Sequence, residues 1–375
     1  MIAAAERGIE TQKATFFTLT IELTTSIDDR RPVYLVGNFN NWNAEDTQFK
    51  LKRTAFGKFS YSFPIDMSLP RRIEYKYVRG GWENQELDEF GNRTYNRVVD
   101  NPKGTVYDFV PRWSNYGLDF NPQYLPRIEI ISEQFDMPQL KKKRKVSILL
   151  PYNYDTQPLK KYPVLYLQDG QNLFNPQSPF GNWGIDKKLA VLAEKGVGDM
   201  IVVAIDHAGK ERVNEFLPIK NKDLGISEGK KYLQFIAETL KPYVDNHFRT
   251  LPERNHTAIG GSSLGGLISI YAGLRFPKTF GRLMVFSPSL WVTQNISFNL
   301  IAFFQPIATK IYVYAGGNEG SNMVTNIKKF KENMYSQGFN SDNIHFKLSI
   351  DPQGTHSEYR WGQEFPKAME WLFHS

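Results

Sequence analysis

A glycine-flanked serine stands in the segment HTAIGGSSLGGLISIYAGLRFP, residues 256–277, between an apolar run and a stretch with a helical apolar stripe. The letters GSSLG at 261–265 fit the pattern G-x-S-x-G, in which a serine sits on a sharp turn from strand to helix. Bulky side chains two residues before and after that serine would clash, which is why glycine occupies both places. The pattern predicts Ser263 as a nucleophile and leaves Ser262 for packing or hydrogen bonding. The alternative is a glycine-rich turn that only packs a helix on a sheet.

A serine hydroxyl needs a positioned base, and proteins with this turn place their residues in the order serine, acid, histidine. Three histidines follow Ser263. His345 lies in an apparent strand, and His374 is the penultimate residue. His356 lies in the polar segment DPQGTHSEYRWG, between the last apolar run and the last helical stretch. We therefore predict His356 as the base, with a surface loop histidine as the alternative.

A carboxylate is expected after the penultimate strand, where it would hold the histidine tautomer and stabilise the imidazolium. Glu319 is the first carboxylate after the apolar run KIYVYAG, and we predict it as the acid. The alternative is a carboxylate that only begins the next helix. Three other carboxylates could take the role, namely Asp342, Asp351 and Glu358. A serine–histidine pair without an acid also remains open.

Backbone N–H groups must stabilise the negative charge that develops on an attacked carbonyl oxygen. The N–H of Leu264, at the start of the helix after the serine, is one predicted donor. The segment YLQDGQNLF follows an earlier apolar run and offers a second donor at Gly170 or Gln171. Asp169 in the same segment is interpreted as a loop-shaping residue, because it lies in the wrong place for the acid.

From about residue 128, continuous apolar runs such as YPVLYLQD, MIVVAID and LMVFSPS alternate with amphipathic helical stretches. This alternation predicts an α/β domain with a doubly wound, mostly parallel sheet over residues 128–375. Ligands in such sheets bind beyond the carboxyl ends of the strands, where the predicted nucleophile and acid lie.

The N-terminal third has a different pattern, with short alternating runs such as PVYLVGNF and RIEYKYV separated by turn signals. It predicts a small all-β, immunoglobulin-like sandwich over residues 1–110. Residues 111–127, rich in proline, asparagine and aromatics, are predicted as a linker.

The composition excludes several classes of function. The 375 residues include no cysteine, so disulfides, thiolate metal sites and cysteine nucleophiles are ruled out. The net charge of +7 is mostly dispersed, and nucleic acid is not predicted as a partner. The one dense basic run, KKKRK at 141–145, is interpreted as a solvated strand entrance or edge.

No apolar run is long enough for a signal peptide at the N-terminus or for a membrane span. The chain as written is predicted to be cytoplasmic, without a membrane partner. A periplasmic or secreted protein is expected if a signal has been removed. Oligomeric state is not predicted.

The segments YPVLYLQDGQNLF, ERVNEFLP, AIGGSSLGGLISIYAGLRFPKTFGRLMVFSPSLW, YAGGNEG and GTHSEYRWGQEFPKAMEWLF carry a resemblance that spans most of residues 128–375. They resemble the esterase branch of the α/β hydrolases, which includes enterochelin-type siderophore esterases and carbohydrate esterase family 1. The resemblance implies an α/β-hydrolase fold and ester hydrolysis by a serine–histidine–acid triad, with no metal or organic cofactor. It carries Ser263 and His356 directly, whereas many relatives have aspartate where Glu319 stands.

The segments VYLVGNFNNWN and RIEYKYVRGGWE resemble starch- and glycogen-binding β-sandwich modules, which stack tryptophans on sugar rings. Trp82, Lys76 and Trp42 match positions expected to contact or border a glucan. Two features depart from the pattern: Phe59 replaces a second platform tryptophan of one branch, and the turn between Trp82 and Asn92 is longer. A sandwich retained as a structural cap is the alternative.

Four functions are consistent with these features. We favour a serine esterase acting on an ester-decorated glycan or on an aryl or acetyl ester. A siderophore esterase with the β-domain as a lid, a glycan-binding protein with an inert hydrolase domain, and acyl transfer to a sugar are the alternatives. The aromatic residues that could line an acyl pocket are Phe180, Trp183, Phe216 and Trp291.

Overall fold

The computed structural model divides the chain into two compact units, residues 1–119 and 120–375. The division falls within the segment 111–127 that the sequence predicts as a linker. The residues whose structure is described are 19–221, 223–292, 308–320, 322–336 and 344–374. Asp342, one of the alternative acids, lies outside them.

The first unit contains β-strands. They are β1 (Leu19–Thr25), β2 (Tyr34–Gly37), β3 (Lys52–Ala55), β4 (Lys58–Ser62), β5 (Arg72–Val78), β6 (Glu86–Leu87), β7 (Arg97–Asp100), β8 (Gly104–Val110) and β9 (Arg112–Trp113). They form sheets in the orders β3-β4-β1-β8, β2-β5-β7 and β6-β9. Alternate residues of β1 point into the core, as an amphipathic strand requires.

The core of this unit includes Leu35 on β2, Phe59 on β4 and Ile73 on β5. Phe59 is 1% exposed, so the residue that replaces a platform tryptophan packs inside the sandwich and presents no face to solvent. Trp113 on β9 is also buried, and its indole N–H donates to Thr25 Oγ1 at 2.9 Å. The beginning of the predicted linker is therefore packed into the first unit.

The second unit alternates strands and helices. Its strands are β10 (Arg127–Met137), β11 (Lys142–Leu150), β12 (Val164–Leu167), β13 (Ile201–Ile205), β14 (Thr257–Ser262), β15 (Arg282–Phe286), β16 (Thr309–Gly316) and β17 (Ile344–Asp351). Its helices are α1 (Ile185–Glu194), α2 (Arg212–Phe216), α3 (Gly229–Phe235), α4 (Lys241–His247), α5 (Leu264–Arg275), α6 (Met323–Ser336) and α7 (Glu358–His374), with a π turn at Ile236–Leu240 between α3 and α4. No helix in the described ranges has the length and hydropathy needed to cross a bilayer.

The strands of the second unit form one eight-stranded sheet in the order β10-β11-β13-β12-β14-β15-β16-β17. Strands β10 and β11 are antiparallel additions, and the strands from β13 to β17 run parallel. The central strands are buried on both faces, which explains their continuous apolar sequences. The predicted α/β-hydrolase fold is confirmed. Its parallel register brings the loops after β12, β14, β15 and β16 to one edge.

Residues 142–144 of the basic run KKKRK pair with β10, and the pairing of β11 with β13 begins only at Val146. The side chain of Arg144 is 7% exposed, and its guanidinium donates to both oxygens of Glu215, at 2.8 and 2.7 Å. Lys142 donates to Glu215 at 3.2 Å and to Glu228 at 2.6 Å. The run lies at the start of β11, as predicted, and Lys143 is 59% exposed. Full solvation is wrong for Arg144 and Lys142, because the buried Glu215 carboxylate needs cationic partners.

Candidate active site

Ser263 stands at the junction of β14 and α5 with φ 57° and ψ −121°, a conformation that non-glycine residues rarely adopt. The two flanking glycines are required by close packing. A Cβ on Gly261 would lie 2.9 Å from the backbone carbon of Gly265, and one on Gly265 would lie 3.1 Å from Asp169 Oδ2. The strained turn raises Ser263 above the sheet edge at the N-terminus of α5, where N–H groups lack intrahelical acceptors. Leu264, a predicted oxyanion donor, is the first residue of that helix.

The end of β15 holds this turn in place. The N–H of Ser263 donates to the carbonyl of Phe286 at 2.9 Å, and the N–H of Ser289 donates to the carbonyl of Ser263 at 3.1 Å. The hydroxyl oxygens of Ser263 and Ser289 are 3.1 Å apart, within hydrogen-bond distance. Ser289 is 3% exposed, so it contacts Ser263 from inside the protein.

The predicted acid and base are in direct contact. Glu319 follows β16 with a fully buried side chain, and its Oε2 lies 2.7 Å from Nδ1 of His356. Its Oε1 accepts hydrogen bonds from the N–H of Gly316 at 2.7 Å and from the hydroxyl of Ser287 at 2.6 Å. A carboxylate bound in this way fixes the imidazole through Nδ1 and leaves Nε2 for proton exchange.

His356 lies just before α7, with 41% of its side chain exposed. Its ring meets Trp361 edge to face, with centroids 4.8 Å apart. The indole N–H of Trp361 in turn donates to Ser287 Oγ at 2.9 Å. The segment 287–289 therefore contacts Ser263 through Ser289 and Glu319 through Ser287.

The loop after β12 lies against the nucleophile turn, as the 3.1 Å approach of Asp169 to the Gly265 position shows. Asp169 has a left-handed conformation, φ 59° and ψ 47°, and Gly170 begins a 3₁₀ turn. A Cβ on Gly170 would lie 2.6 Å from Asp206 Oδ1, which explains the glycine. The side chain of Gln171 exchanges two hydrogen bonds with the backbone of His207, at 2.8 and 3.0 Å. Gly170 and Gln171 therefore lie on a braced loop beside Ser263.

Asp169 is bound by an arginine that sequence reasoning did not single out. The Arg212 guanidinium donates to both carboxylate oxygens, from Nε at 2.6 Å and from Nη2 at 2.8 Å. The guanidinium also lies 5.0 Å from the ring centroid of Phe216. This paired geometry supports the loop-shaping interpretation of Asp169. The clue in the sequence is the segment ERVNEFLP, which contains both Arg212 and Phe216.

The alternative acids have other partners. Glu358 Oε1 accepts from Asn172 Nδ2 at 3.4 Å, and burial raises the pKa of Glu358. Asp351 Oδ1 accepts from the N–H of Gln353 at 3.0 Å. Ser287 and Ser289 also escaped sequence reasoning, and their signal is the tripeptide SPS directly after an apolar strand.

The four aromatic residues considered for an acyl pocket fall into two groups. Trp183 is 4% exposed and stacks on Phe286 with centroids 5.4 Å apart, and Phe216 is fully buried. Both are packing residues, which corrects the expectation that they line an acyl pocket. Phe180 and Trp291 are 65% and 59% exposed and can contact a substrate.

In the first unit, the predicted sugar-binding tryptophans are neighbours. The ring centroids of Trp42 and Trp82 are 6.3 Å apart and the planes are inclined by 34°. Trp82 is 39% exposed and Trp42 is partly exposed. Lys76 is only 9% exposed, and its ammonium donates to the carbonyl of Thr94. Burial lowers the pKa of Lys76.

Residues 138–372 match the family described as "Putative esterase". Because the match covers more than half of the chain, this protein belongs to that family, and it is a carboxylic ester hydrolase. Within the described residues, no group of three or more histidine, aspartate or glutamate side chains could hold a metal ion.

Three curated relatives illustrate the similarity. An uncharacterized protein of Bacillus subtilis (strain 168), YbbA, is 25% identical over 61% of this chain and 92% of its own length. An endo-1,4-beta-xylanase/feruloyl esterase of Xylanibacter ruminicola is 24% identical over 62% of this chain and 30% of its own. An amylopullulanase of Thermoanaerobacter thermohydrosulfuricus is 36% identical over 115 residues, 28% of this chain and 8% of its own.

Two solved structures share the fold. The BES protein from Bacillus cereus aligns with TM-score 0.54 and 22% identity over 66% of this chain and 95% of its own. The enterobactin esterase FES from Shigella flexneri aligns with TM-score 0.51 and 16% identity over 91% of this chain and 88% of its own.

Proposed function

We propose that the protein hydrolyses esters through a triad of Ser263, His356 and Glu319. The observation that carries this proposal is the 2.7 Å contact between His356 Nδ1 and the fully buried carboxylate of Glu319. This contact lies at the sheet edge where the strained turn presents Ser263. A buried carboxylate, an imidazole and a serine on such a turn are the components of acyl transfer.

The reaction has two steps. In the first, Ser263 Oγ attacks the ester carbonyl while His356 Nε2 takes its proton, and the backbone N–H of Leu264 and of the Gly170–Gln171 loop stabilise the oxyanion. The protonated His356 then transfers the proton to the leaving alcohol, giving an acyl-enzyme. In the second step His356 activates water, which releases the acid and restores the serine. Throughout, Glu319 stabilises the positive charge on the imidazole.

The favoured substrate class is an ester carried by a glycan, or a related aryl or acetyl ester. Three findings support it: the similarity to a relative named xylanase/feruloyl esterase, the match to an amylopullulanase, and the paired tryptophans of the first unit. In this proposal Trp42 and Trp82 bind the polysaccharide, and Ser263 acts on its ester groups. Lys76 is a weaker candidate for sugar contact, because its ammonium is already bound to a carbonyl.

Hydrolysis of a siderophore ester is the second candidate function. It is favoured by the alignment of 91% of this chain with an enterobactin esterase, and by a net charge of +7 that would attract an anionic catecholate. Comparing kcat/KM for enterobactin, methyl ferulate and acetylated xylan separates the two candidates. Product analysis in the presence of a sugar acceptor separates hydrolysis from acyl transfer.

The triad is tested by hydrolysis of p-nitrophenyl acetate and butyrate. Ser263→Ala is expected to abolish turnover, whereas Ser262→Ala, which removes the neighbouring hydroxyl, is expected to retain most of it. Equal rates for wild type and Ser263→Ala would refute the proposed nucleophile. If the wild type hydrolyses neither p-nitrophenyl ester nor enterobactin, methyl ferulate or acetylated xylan, the hydrolase domain is inert and the proposal fails.

Sugar binding is tested separately from chemistry, with Ser263→Ala as the starting protein. We expect the Ser263→Ala protein to be retained on amylopectin. Adding Trp82→Ala to this protein is expected to lower the retained fraction. Tyr107→Ala is the matched control, because Tyr107 is an 80% exposed aromatic residue on β8 of the same unit. Equal retention of all three variants would refute the role of Trp82.

A further inference from the structure

The segment after β15 contributes a second serine to the network, and the proposed triad does not use it. Ser287 is fully buried, with φ 44° in the left-handed region. Serine is uncommon there, and its cost is borne only where the surroundings hold the residue in place. The position therefore favours a residue kept for its side chain.

The direction of the hydrogen bonds at Ser287 is determined by their partners. The indole N–H of Trp361 can only donate, so at 2.9 Å it makes Ser287 Oγ an acceptor. The single proton of that hydroxyl is then available for Glu319 Oε1, which lies 2.6 Å away. The result is a directed chain from Trp361 through Ser287 to the carboxylate, in which each bond polarises the next.

This directed chain of hydrogen bonds determines which oxygen of Glu319 contacts His356. Glu319 Oε1 takes the proton of Ser287 and the N–H of Gly316, and Oε2 is left for His356 Nδ1. The carboxylate is buried, so water cannot replace a missing donor without rearrangement. Loss of the Ser287 hydroxyl would leave Oε1 with one donor and free the carboxylate to rotate away from the imidazole.

We propose that Ser287 is a positioning residue for the acid, acting through Glu319 on the orientation of His356. This inference rests on the proposed triad and adds a fourth side chain to it. Ser287 does not reach the reacting atoms, so its removal lowers kcat and leaves the KM of a small ester nearly unchanged.

The experiment compares kcat and KM for p-nitrophenyl acetate in wild type, Ser287→Ala, Ser287→Gly, Trp361→Phe and Ser269→Ala. Both Ser287 variants are expected to lose about 10- to 100-fold in kcat, the range for a lost hydrogen bond to a charged group, with KM within about twofold. Trp361→Phe keeps the ring beside His356 but removes the N–H, and a smaller loss in the same direction is expected. Ser269→Ala is the matched control, because it removes a buried hydroxyl bound to the Gly265 carbonyl at 2.7 Å, and it should stay near wild type.

The glycine variant distinguishes positioning from a structural role. Glycine accepts φ 44° without strain, so Ser287→Gly should fold at least as readily as Ser287→Ala and still lose kcat. Proton NMR supplies a second readout: the downfield signal of the His356 Nδ1 proton, assigned by its absence in His356→Ala, should shift or broaden in both Ser287 variants.

The outcomes separate the two proposals. Wild-type kcat in Ser287→Gly, with Ser263→Ala inactive, would overturn the positioning role and leave the triad intact. Activity retained by Ser263→Ala would instead refute the triad. If neither Ser287 variant folds, Trp361→Phe decides, because an unchanged kcat and NMR signal there would overturn the directed chain.

Discussion

Two loops of the same sheet end in buried carboxylates that have different partners. Asp169 follows β12 with 8% of its side chain exposed, and Glu319 follows β16 with none. Asp169 is paired with the guanidinium of Arg212, and Glu319 with the imidazole of His356. Both loops lie at the sheet edge that carries Ser263, and chain order predicts Glu319 as the acid and Asp169 as a loop-shaping residue.

The partner decides which carboxylate can take part in proton transfer. A guanidinium keeps its proton at every accessible pH, so Arg212 cannot exchange a proton with a nucleophile and its pair with Asp169 can only brace the loop. An imidazole gains and loses a proton near neutral pH, so in the proposed reaction Glu319 would stabilise the charge that develops on His356. A carboxylate at a strand end is therefore assigned to catalysis by the group that it touches.

Glu319→Gln should produce the largest effect that separates the two loops. The amide keeps the size of the side chain but removes its charge and disturbs the histidine tautomer, so kcat should fall by about a thousandfold or more. Steady-state hydrolysis of p-nitrophenyl acetate measures the loss. Asp169→Asn is the matched change, with an expected loss in kcat below about tenfold. Similar losses in both variants would contradict the distinction between the loops.

Asp169→Ala should affect stability more than chemistry. It leaves the guanidinium of Arg212, which is 23% exposed, without its carboxylate, and should lower the free energy of unfolding by about 2 kcal/mol. Urea unfolding followed by circular dichroism measures this change. The double variant Asp169→Ala/Arg212→Met should recover part of the stability. A single variant as stable as wild type would show that the ion pair does not brace the loop.

Asp206, after β13, is a third carboxylate at the end of a strand, and burial has the largest effect on its pKa. Burial raises its pKa to about 6, against the opposing effect of Lys145 and Arg144. The folded state then holds this proton more tightly than the unfolded chain, so the stabilising contribution is complete below pH 4 and is lost as the pH rises through 6. Relative to wild type, Asp206→Asn should therefore raise the free energy of unfolding by about 1 kcal/mol more at pH 8 than at pH 5.

Urea midpoints at the two pH values test this expectation. The control is Asp136→Asn, which makes the same carboxyl-to-amide change at a side chain that is 81% exposed. An Asp206→Asn gain that does not depend on pH would contradict the raised pKa.

Much of the site was predictable because its signals are local or depend on chain order. Ser263 is marked by glycines two residues away on each side, and those glycines are required by contacts below 3.2 Å. His356 and Glu319 follow from the order of residues around a parallel sheet. The residues that complete their geometry were missed, because Ser287 meets Trp361 across 74 residues and Asp169 meets Arg212 across 43. A contact between residues so far apart in the sequence produces no periodic pattern from which it could be predicted.

The basic run KKKRK is a second case in which a tertiary partner could not be predicted from the local sequence. Its composition favours a solvated strand entrance or edge, but Arg144 is buried against Glu215, which comes from α2. Local composition indicates that a charged side chain prefers solvent. It does not indicate that the fold brings a carboxylate from a distant segment against that side chain.

The sequence by itself determined the α/β alternation, the strained nucleophile turn and the types of residue available as base and acid, because each depends on spacing within one segment or on strand order. Only the tertiary structure showed that the guanidinium of Arg212 binds Asp169. It also showed that Phe59 is core and that a serine from the β15 loop donates to Glu319. Hydrogen bonds are effective only within about 3.5 Å, and that proximity is set by packing across the sheet edge.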